Sequence, residues 1–268
     1  MQKDIHFYLT YALGLKMGIE TSEMERIAWA DQFTDELTQP ELHGLQTQTS
    51  TLGNWAERQI QATVIMPFHF IPGDDPSHPW MTTSDSSKAR SLLNAARAEP
   101  LGLGIALHAY QDTFSHQGFS GWEEPLNQCF PWYSPEAAIP NVGHAELRAL
   151  PDVVHYVWTD PRSGVRVDNR IRAMQAAKGT WDCLSSIYAP HMGTSQWASL
   201  KPALKEIFRK ESYDERVDAL CRLSGNPEVD YKEVCSRLSS THAEEFLRAA
   251  SRHLSRVLDL CRDLPWGR

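Results

Sequence analysis

The chain has 268 residues, with 26 lysines and arginines against 34 aspartates and glutamates, which gives a formal charge of −8. Hydrophobic residues make up 41% and charged residues 22%, a balance that excludes a disordered chain and can fill a large core. The acidic excess argues against a broad surface for duplex nucleic acid, and no apolar run approaches the roughly 20 residues of a membrane span.

Helical periodicity dominates the chain. The first helix is predicted over 4–18, with Asp4 as its N-cap, and the second over 22–38, where Ser22 and Glu25 have the spacing of a capping box. The remaining helices are predicted over 86–98, 101–116, 170–188 and 241–262. No internal repeat or linker divides the chain, so we expect an all-α fold, a single multi-helix domain over 1–268.

Two long loops rich in turn residues separate these helices. Residues 71–87 are rich in Pro, Asp and Ser, and residues 117–143 carry four prolines. Loops of this length either form the walls of a functional site or pack on the surface. Ordinary packing is the favoured role of their aromatic residues, and a substrate wall is the alternative, for Trp80, Trp122, Trp132 and Tyr133. Residues 159–168 predict a small hairpin.

Cysteine and histidine usage bears on metal chemistry. The five cysteines are odd in number and lack CxxC spacing, which favours reduced thiols over a disulfide framework or a thiolate metal site. The first residues, Met-Gln-Lys-Asp-Ile-His, show no apolar leader segment, so a cytoplasmic location is expected. Eleven histidines in an acidic chain are typical of a metal-binding protein.

The segment 101–116 contains the most informative motif, His108, Asp112 and His116 at steps of four residues. This spacing puts the three side chains on one face of one helix. Imidazole nitrogens and carboxylate oxygens are ligands of zinc and similar ions. Because the preceding residues are apolar, the helix should be buried, and each unsatisfied polar group would cost about 1–3 kcal/mol. A metal would satisfy all three, and a His–Asp–His hydrogen-bond network is the alternative.

One helix cannot complete a coordination sphere, so further ligands must come from elsewhere in the chain. His69 ends an apolar run just before a turn, and His6 lies beside the apolar stripe of the first helix. The full set of additional candidates is His6, Asp31, Asp35, His69, His144, Glu146 and Asp152. Together these residues offer more ligands than one ion can use.

The order of these residues resembles the zinc-dependent phospholipase C and fungal single-strand nuclease superfamily. The resemblance rests on His6, an aspartate of the second helix, His69 in an H-F-I-P turn, and HxxxD with another histidine following. It is closer to an uncharacterised bacterial branch that begins Met-Gln-x-Asp-x-His and carries HxxQDxxxHQGF and GHA…PD motifs. It covers about residues 1–160, the expected metal-ligand core, and leaves the C-terminal helices at about 168–263 outside.

The resemblance implies an all-α fold of this type with up to three divalent ions. Asp112 would bridge two of them. His108 and His69 would hold the first ion with an aspartate of the second helix, for which Asp35 is preferred to Asp31.

The second and third ions would use residues from both ends of this core. His6 and the Met1 amine would hold the second ion, with the Asp4 carboxylate as a substitute for the amine. The third ion would be held by His116, His144 and a downstream carboxylate. Asp152 fits the GHA…PD pattern and Glu146 is nearer in sequence. His155 with Trp158 faintly echoes the nuclease pattern, and His144 is preferred to it.

Adjacent divalent ions clamp a phosphoryl group and activate water, so the sequence predicts a metal-dependent hydrolase of small or medium phosphoesters. The expected cofactors are two or three zinc ions, with iron or manganese as alternatives. Asp35 or Asp31 could act as the general base. The alternative functions are a metal-stabilised, non-catalytic binding or scaffold protein and a single-metal hydrolase of amides or lactones.

Overall fold

Helices make up most of the structure. The computed structural model describes residues 1–39, 41–42, 45–46, 48–192 and 194–266. The helices are α1 (Asp4–Leu9, π-helical, continued by Thr10–Lys16), α2 (Thr21–Phe33), α3 (Arg58–Ile60, π-helical Gln61–Ile65 and Met66–His69), α4 (Ser87–Ala96), α5 (Pro100–Ser115), α6 (Asn169–Tyr188), α7 (Thr194–Arg209), α8 (Tyr213–Ser224) and α9 (Tyr231–Leu260). The predicted all-α class is confirmed at this level.

Strands are confined to two short antiparallel hairpins. The first pairs β1 (Glu41–Leu42) with β2 (Leu45–Gln46), and the second pairs β3 (Val157–Thr159) with β4 (Arg166–Asp168). The second hairpin is the one predicted over 159–168. Single 3₁₀ turns occur in the loop between α5 and α6, at Pro125–Asn127, Pro135–Ala138 and Ala145–Leu147.

Helix α5 lies at the centre of the molecule. Its residues from Leu101 to Ser115 are all buried, as its apolar sequence predicts, and it packs against α2, α3, α4, α6 and α9. The α2–α5 contact is close because Gly104 has no side chain: a Cβ there would lie 2.3 Å from the Ile27 carbonyl oxygen and 2.9 Å from the Asp31 nitrogen. This approach brings Asp31 against the helix that carries the histidine–aspartate motif.

Two of the errors in the predicted helix ends affect the site, whereas the cap of α2 at Glu20, which accepts from the Ser22 amide in place of the predicted Ser22 capping box, does not. Asp4 is not an N-cap: its buried carboxylate accepts a 2.6 Å hydrogen bond from Arg216 of α8. Helix α2 ends at Phe33, not at residue 38, and Thr34 follows it, with its hydroxyl donating to the Ala30 carbonyl. Asp35 therefore lies in a turn after α2, where its carboxylate is not tied to a helix face.

The C-terminal part contains more helix than the periodicity predicted. Helix α9 begins at Tyr231, ten residues before the predicted start at 241, because Asp230 caps it by accepting from the Lys232 and Glu233 amides. Helices α3, α7 and α8 had no assigned counterpart in the sequence analysis. No helix in the described part of the chain has the length and apolarity to cross a membrane.

The loop aromatics divide into two pairs with different environments. Trp80 and Trp122 are buried, stack with their ring centroids 5.2 Å apart, and both contact Trp266. Trp132 and Tyr133 are 83% and 73% exposed. The first pair is core packing, which was the favoured expectation.

Candidate metal centre

Eight histidine and aspartate side chains converge at one end of α5. We call Asp35, His6, His69, His108 and Asp112 the inner group, and His116, His144 and Asp152 the outer group. Within the outer group, and within the trio Asp35, His69 and His108, each residue offers one ligand atom less than 4.8 Å from the others. Such His/Asp clusters could hold metal ions.

Asp112 lies between the members of the inner group. Its Oδ1 accepts from the Met1 amine and lies 3.3 Å from Nε2 of His6. Its Oδ2 lies 3.3 Å from Nδ1 of His69 and 3.4 Å from Nε2 of His108. The two oxygens of one buried carboxylate thus face two different pairs of nitrogen atoms, as a bridging ligand requires.

His69 and His108 face each other through ring nitrogens. Nε2 of His69 donates to the Thr49 carbonyl at 2.8 Å, so Nδ1 is the nitrogen with the lone pair. That Nδ1 lies 3.1 Å from Nε2 of His108, and Oδ1 of Asp35 is 3.7 and 3.5 Å from the two nitrogens. A cation among these three atoms would be held by an imidazole pair and a carboxylate.

His6 is oriented by buried side chains. Its Nδ1 lies 2.9 Å from Oε1 of Gln111 and 3.0 Å from Oδ1 of Asp31. The Gln111 amide donates to Thr10 and Thr180, which directs its Oε1 towards His6. Nδ1 of His6 is therefore a protonated nitrogen, and Nε2 is the nitrogen that faces Asp112.

Asp31 belongs to this supporting layer. Its Oδ2 accepts from the Thr10 hydroxyl at 2.8 Å, its Oδ1 accepts from His6, and its side chain is fully buried. These contacts argue against the general-base role considered for Asp31, because a base needs access to water. Its oxygen also lies within 4.8 Å of ligand nitrogens of His6 and His108, so its geometry is compatible with ligation as well.

Two buried nitrogen atoms in the inner group have no hydrogen-bond partner among the described residues, Nε2 of His6 and Nδ1 of His108. Leaving such an atom unpaired costs about 1–3 kcal/mol. Nε2 of His6 faces Asp112, and Nδ1 of His108 is 3.6 Å from Oδ1 of Asp31. A divalent ion at Asp112 would satisfy the His6 nitrogen, so the inner group fits a metal.

The outer group is supported by backbone carbonyls. Nδ1 of His116 donates to the His69 carbonyl at 2.7 Å, and Nδ1 of His144 donates to the Arg148 carbonyl at 2.8 Å. Nε2 of His116 lies 3.1 Å from Oδ1 of Asp152, and Nε2 of His144 lies 3.4 Å from Oδ2 of the same carboxylate. Both rings therefore direct Nε2 towards the same carboxylate.

Burial and charge shift the pKa values of these groups. Burial lowers the pKa of His144 to about 4, which keeps its imidazole neutral. Burial opposes ionisation of Asp152, but the Met1 amine and the nearby histidines hold its pKa well below the ordinary value. Burial also lowers the pKa of the Met1 amine, and the carboxylates of Asp112, Asp152 and Asp35 outweigh it and raise that pKa to about 11. Ligation by this amine would have to displace its proton.

A cavity of about 370 Å³ opens beside the two groups. Its walls beyond the ligands include Trp55, Val64, Ile65, Phe70, Val142 and Arg148. Phe70 stacks on His116 with ring centroids 4.3 Å apart, and Gly143 allows this position because a Cβ there would lie 2.4 Å from the Phe70 ring. Trp55 and Phe70 were not predicted from the sequence to be walls of the site. The H-F-I-P turn next to His69 was a signal for Phe70.

Three residues that the sequence analysis considered as ligands have other partners. Asp4 pairs with Arg216, and His155 lies 3.2 Å from the same guanidinium. Glu146 accepts from the backbone amides of Cys129 and Phe130, so it braces the loop. The structure brings Asp152 to the cluster instead of Glu146, and the Met1 amine instead of Asp4.

Comparison with known protein families gives one match. A model of a family of unknown function, DUF6765, matches residues 1–261. The chain belongs to this family. No curated protein and no solved structure matches it.

All eight inner and outer residues of this DUF6765 chain lie within the matched region. The family description assigns no chemistry to them, so the resemblance to the phospholipase C and nuclease superfamily stays a prediction. The chemistry must be argued from the donor atoms. Imidazole nitrogens and carboxylates around an open cavity suit a borderline divalent ion such as zinc. Burial lowers the pKa of His108, but the carboxylates of Asp35 and Asp112 outweigh it and raise that pKa to about 10, so an ion bound there would displace a proton.

Proposed function

We propose that the protein is a metal-dependent hydrolase of phosphoesters, of the phospholipase C and nuclease type, with two or three divalent ions at the inner and outer groups. One observation carries the proposal: four histidines donate from one ring nitrogen to a supporting group and direct the other nitrogen towards Asp112 or Asp152 beside an open cavity. Such orientation is typical of metal-ligating histidines. Zinc is the first candidate, and iron and manganese suit the same donors.

The distances suggest how ligands are shared. Asp35, His69 and His108 would hold one ion with Oδ2 of Asp112. His6 and the Met1 amine would hold a second with Oδ1 of Asp112. The third would be held by the outer group of His116, His144 and Asp152.

Hydrolysis of a phosphoester consumes one water. The water oxygen forms a bond to phosphorus, the bond from phosphorus to the alcohol oxygen breaks, and a proton from the water ends on that alcohol. Bound divalent ions supply Lewis acidity for the water and the phosphoryl oxygens. Asp35 lines the cavity with a carboxylate that is 31% exposed, so it can accept the proton from water, whereas Asp31 is enclosed.

The open cavity favours catalysis over a purely structural role. Structural zinc sites are closed by protein ligands, whereas catalytic sites keep a position accessible to water and substrate. Here Asp112, His69, His116, His144 and Asp152 all line the cavity. A scaffold protein would gain nothing from this access.

The test begins with elemental analysis of protein purified without chelator, followed by assays on aryl phosphomonoesters, bis-aryl phosphodiesters, single-stranded nucleic acid and phospholipids. We expect two or three equivalents of metal and hydrolysis of at least one phosphoester. Absence of bound metal after careful handling would reject the proposal. If the protein carries two or three equivalents of metal and cleaves none of these phosphoesters, the scaffold function is favoured. If it carries one equivalent of metal and cleaves an amide or a lactone, the single-metal hydrolase is favoured.

Asp35→Asn separates the two roles open to Asp35. If this carboxylate is the base, the variant keeps its metal and loses about 10²–10⁴-fold in kcat. If it is a ligand, metal content falls by about one equivalent. Asp74→Asn, on the loop before α4 and outside the cavity, is the matched control with unchanged metal and activity.

A further inference from the structure

The wall of the cavity contains an arginine in an unusual backbone conformation. Arg148 has φ 53° and ψ −130°, and the Leu150 amide donates to the Leu147 carbonyl across it. These are the angles of the first central residue of a type II′ turn, a position that glycine dominates. The other non-glycine residues with positive φ in the described chain are Asn54 and Asp85, types that tolerate it.

The backbone contacts of Arg148 do not explain why an arginine stands at this position. Its carbonyl accepts from Nδ1 of His144 and so helps to orient the outer group. Any residue offers that carbonyl, and glycine would reach the same conformation without strain. A bulky side chain held at a position that glycine favours is strained, and such strain clusters at functional sites.

The charge of Arg148 is only weakly compensated. Its side chain is exposed, and the described residues form no close ion pair with it; the Glu136 carboxyl interacts with its charge, but this is the smallest contribution to the lowered pKa of Glu136, after hydrogen bonds to a backbone amide and to Ser134. Among the described residues that line the cavity, Arg148 is the one arginine or lysine. A planar guanidinium can bind two oxygens of one anionic group.

Apolar side chains form much of the remaining wall. Trp55, Val64, Ile65 and Val142 line the same cavity, together with Ser50 and Thr51, and Trp55 is 37% exposed. Apolar and aromatic walls bind a hydrocarbon or aromatic group, and a cavity of about 370 Å³ has the size of a small-molecule site.

We propose that Arg148 is a specificity-determining residue that binds the anionic oxygens of a small phosphoester, while the Trp55 wall receives its apolar or aromatic alcohol group. This inference rests on the proposed function, because it takes the ligand to be a phosphoester. The binding of phosphonates, which carry a phosphorus–carbon bond that hydrolysis of an ester does not cleave, tests it separately from catalysis.

The experiment is calorimetric titration of the zinc-loaded full chain with phenylphosphonate and methylphosphonate. Arg148→Ala should weaken both ligands about tenfold or more, the value of a charge-assisted hydrogen bond. Trp55→Ala should weaken phenylphosphonate about fivefold or more and leave methylphosphonate within about twofold, because only the first probe carries a ring. Arg166→Ala, an exposed hairpin arginine outside the cavity, is the control and should match the wild type.

Arg148→Gly distinguishes a binding role from a structural one. Glycine relieves the turn and keeps the carbonyl, so Tm should rise by about 2–4 °C while both phosphonates bind as weakly as in Arg148→Ala. A fall in Tm would make Arg148 a structural residue and overturn the inference. Unchanged phosphonate affinity in either variant would overturn it too, as would a wild-type protein that binds neither probe. Arg148-dependent binding without hydrolysis of any ester would reject the proposed function and support this inference.

Discussion

The inner and outer groups of the candidate centre differ in what holds them. The inner histidines come from α1, α3 and α5, and His6 and His108 have no exposed side-chain surface. In the outer group, His144 and Asp152 come from the loop between α5 and α6, with side chains 14% and 18% exposed. Ligands on packed helices keep their geometry better than ligands on loops. We therefore expect the inner group to bind metal more tightly.

The two groups also differ in the hydrogen bonds that orient their histidines. His6 is oriented by buried side chains, Asp31 and Gln111, whereas His116 and His144 donate to backbone carbonyls. The inner orientation can thus be altered by substituting a side chain without touching a ligand. The outer orientation depends on the loop path. The following variants test this difference.

Asp112→Asn should have the largest effect. Asparagine keeps the shape but removes the charge that both halves of the inner group share, so the protein should lose more than one equivalent of metal by elemental analysis. Asp152→Asn is the matched control in the outer group and should lose no more than one. Loss of a single equivalent in Asp112→Asn would contradict the bridging role.

His144→Ala should remove one equivalent and leave the inner group loaded, because its nitrogen contacts only the outer carboxylate among the proposed ligands. The remaining metal should resist a weak chelator as well as it does in the wild type. Simultaneous loss of two or more equivalents would mean that the two groups bind as one unit.

Asp31→Asn should weaken the inner group without emptying it. A supporting carboxylate typically contributes about 10–100-fold to metal affinity, measured here by competition with a chelator. Thr10→Val, which removes the hydroxyl that donates to Asp31, should have a smaller effect in the same direction. If Asp31→Asn lost a full equivalent at saturating zinc, Asp31 would be a ligand.

Asp4→Asn should leave metal content unchanged and lower stability. Asp4 and Arg216 form a buried pair, and breaking such a pair costs about 3–5 kcal/mol because the remaining charge is unpaired. Denaturant unfolding measures the loss, and elemental analysis of the same sample measures the metal. A drop in metal content in folded protein would return Asp4 to the ligand set in place of the Met1 amine.

The elements that the sequence predicted well were those specified locally. The apolar run before His108 predicted a buried helix, and α5 is buried from Leu101 to Ser115. The predicted starts of α4 and α5, at 86 and 101, lie within one residue of the observed starts, Ser87 and Pro100. The π-helical segments Asp4–Leu9 and Gln61–Ile65 had no such signal, although they lead to His6 and His69. A π-helical turn has i→i+5 hydrogen bonds and occurs mostly as a short bulge within α-helices, frequently at functional sites.

The sequence by itself determined that His108, Asp112 and His116 share one face of a buried helix, because a spacing of four residues fixes neighbours along a helix. Only the tertiary structure decided which distant residues join them. Asp152 rather than Glu146, and the Met1 amine rather than Asp4, reach the cluster because Glu146 binds loop amides and Asp4 binds Arg216. It also decided which histidine nitrogen faces inward, since that depends on hydrogen bonds to Thr49, Gln111 and other residues far away in the chain.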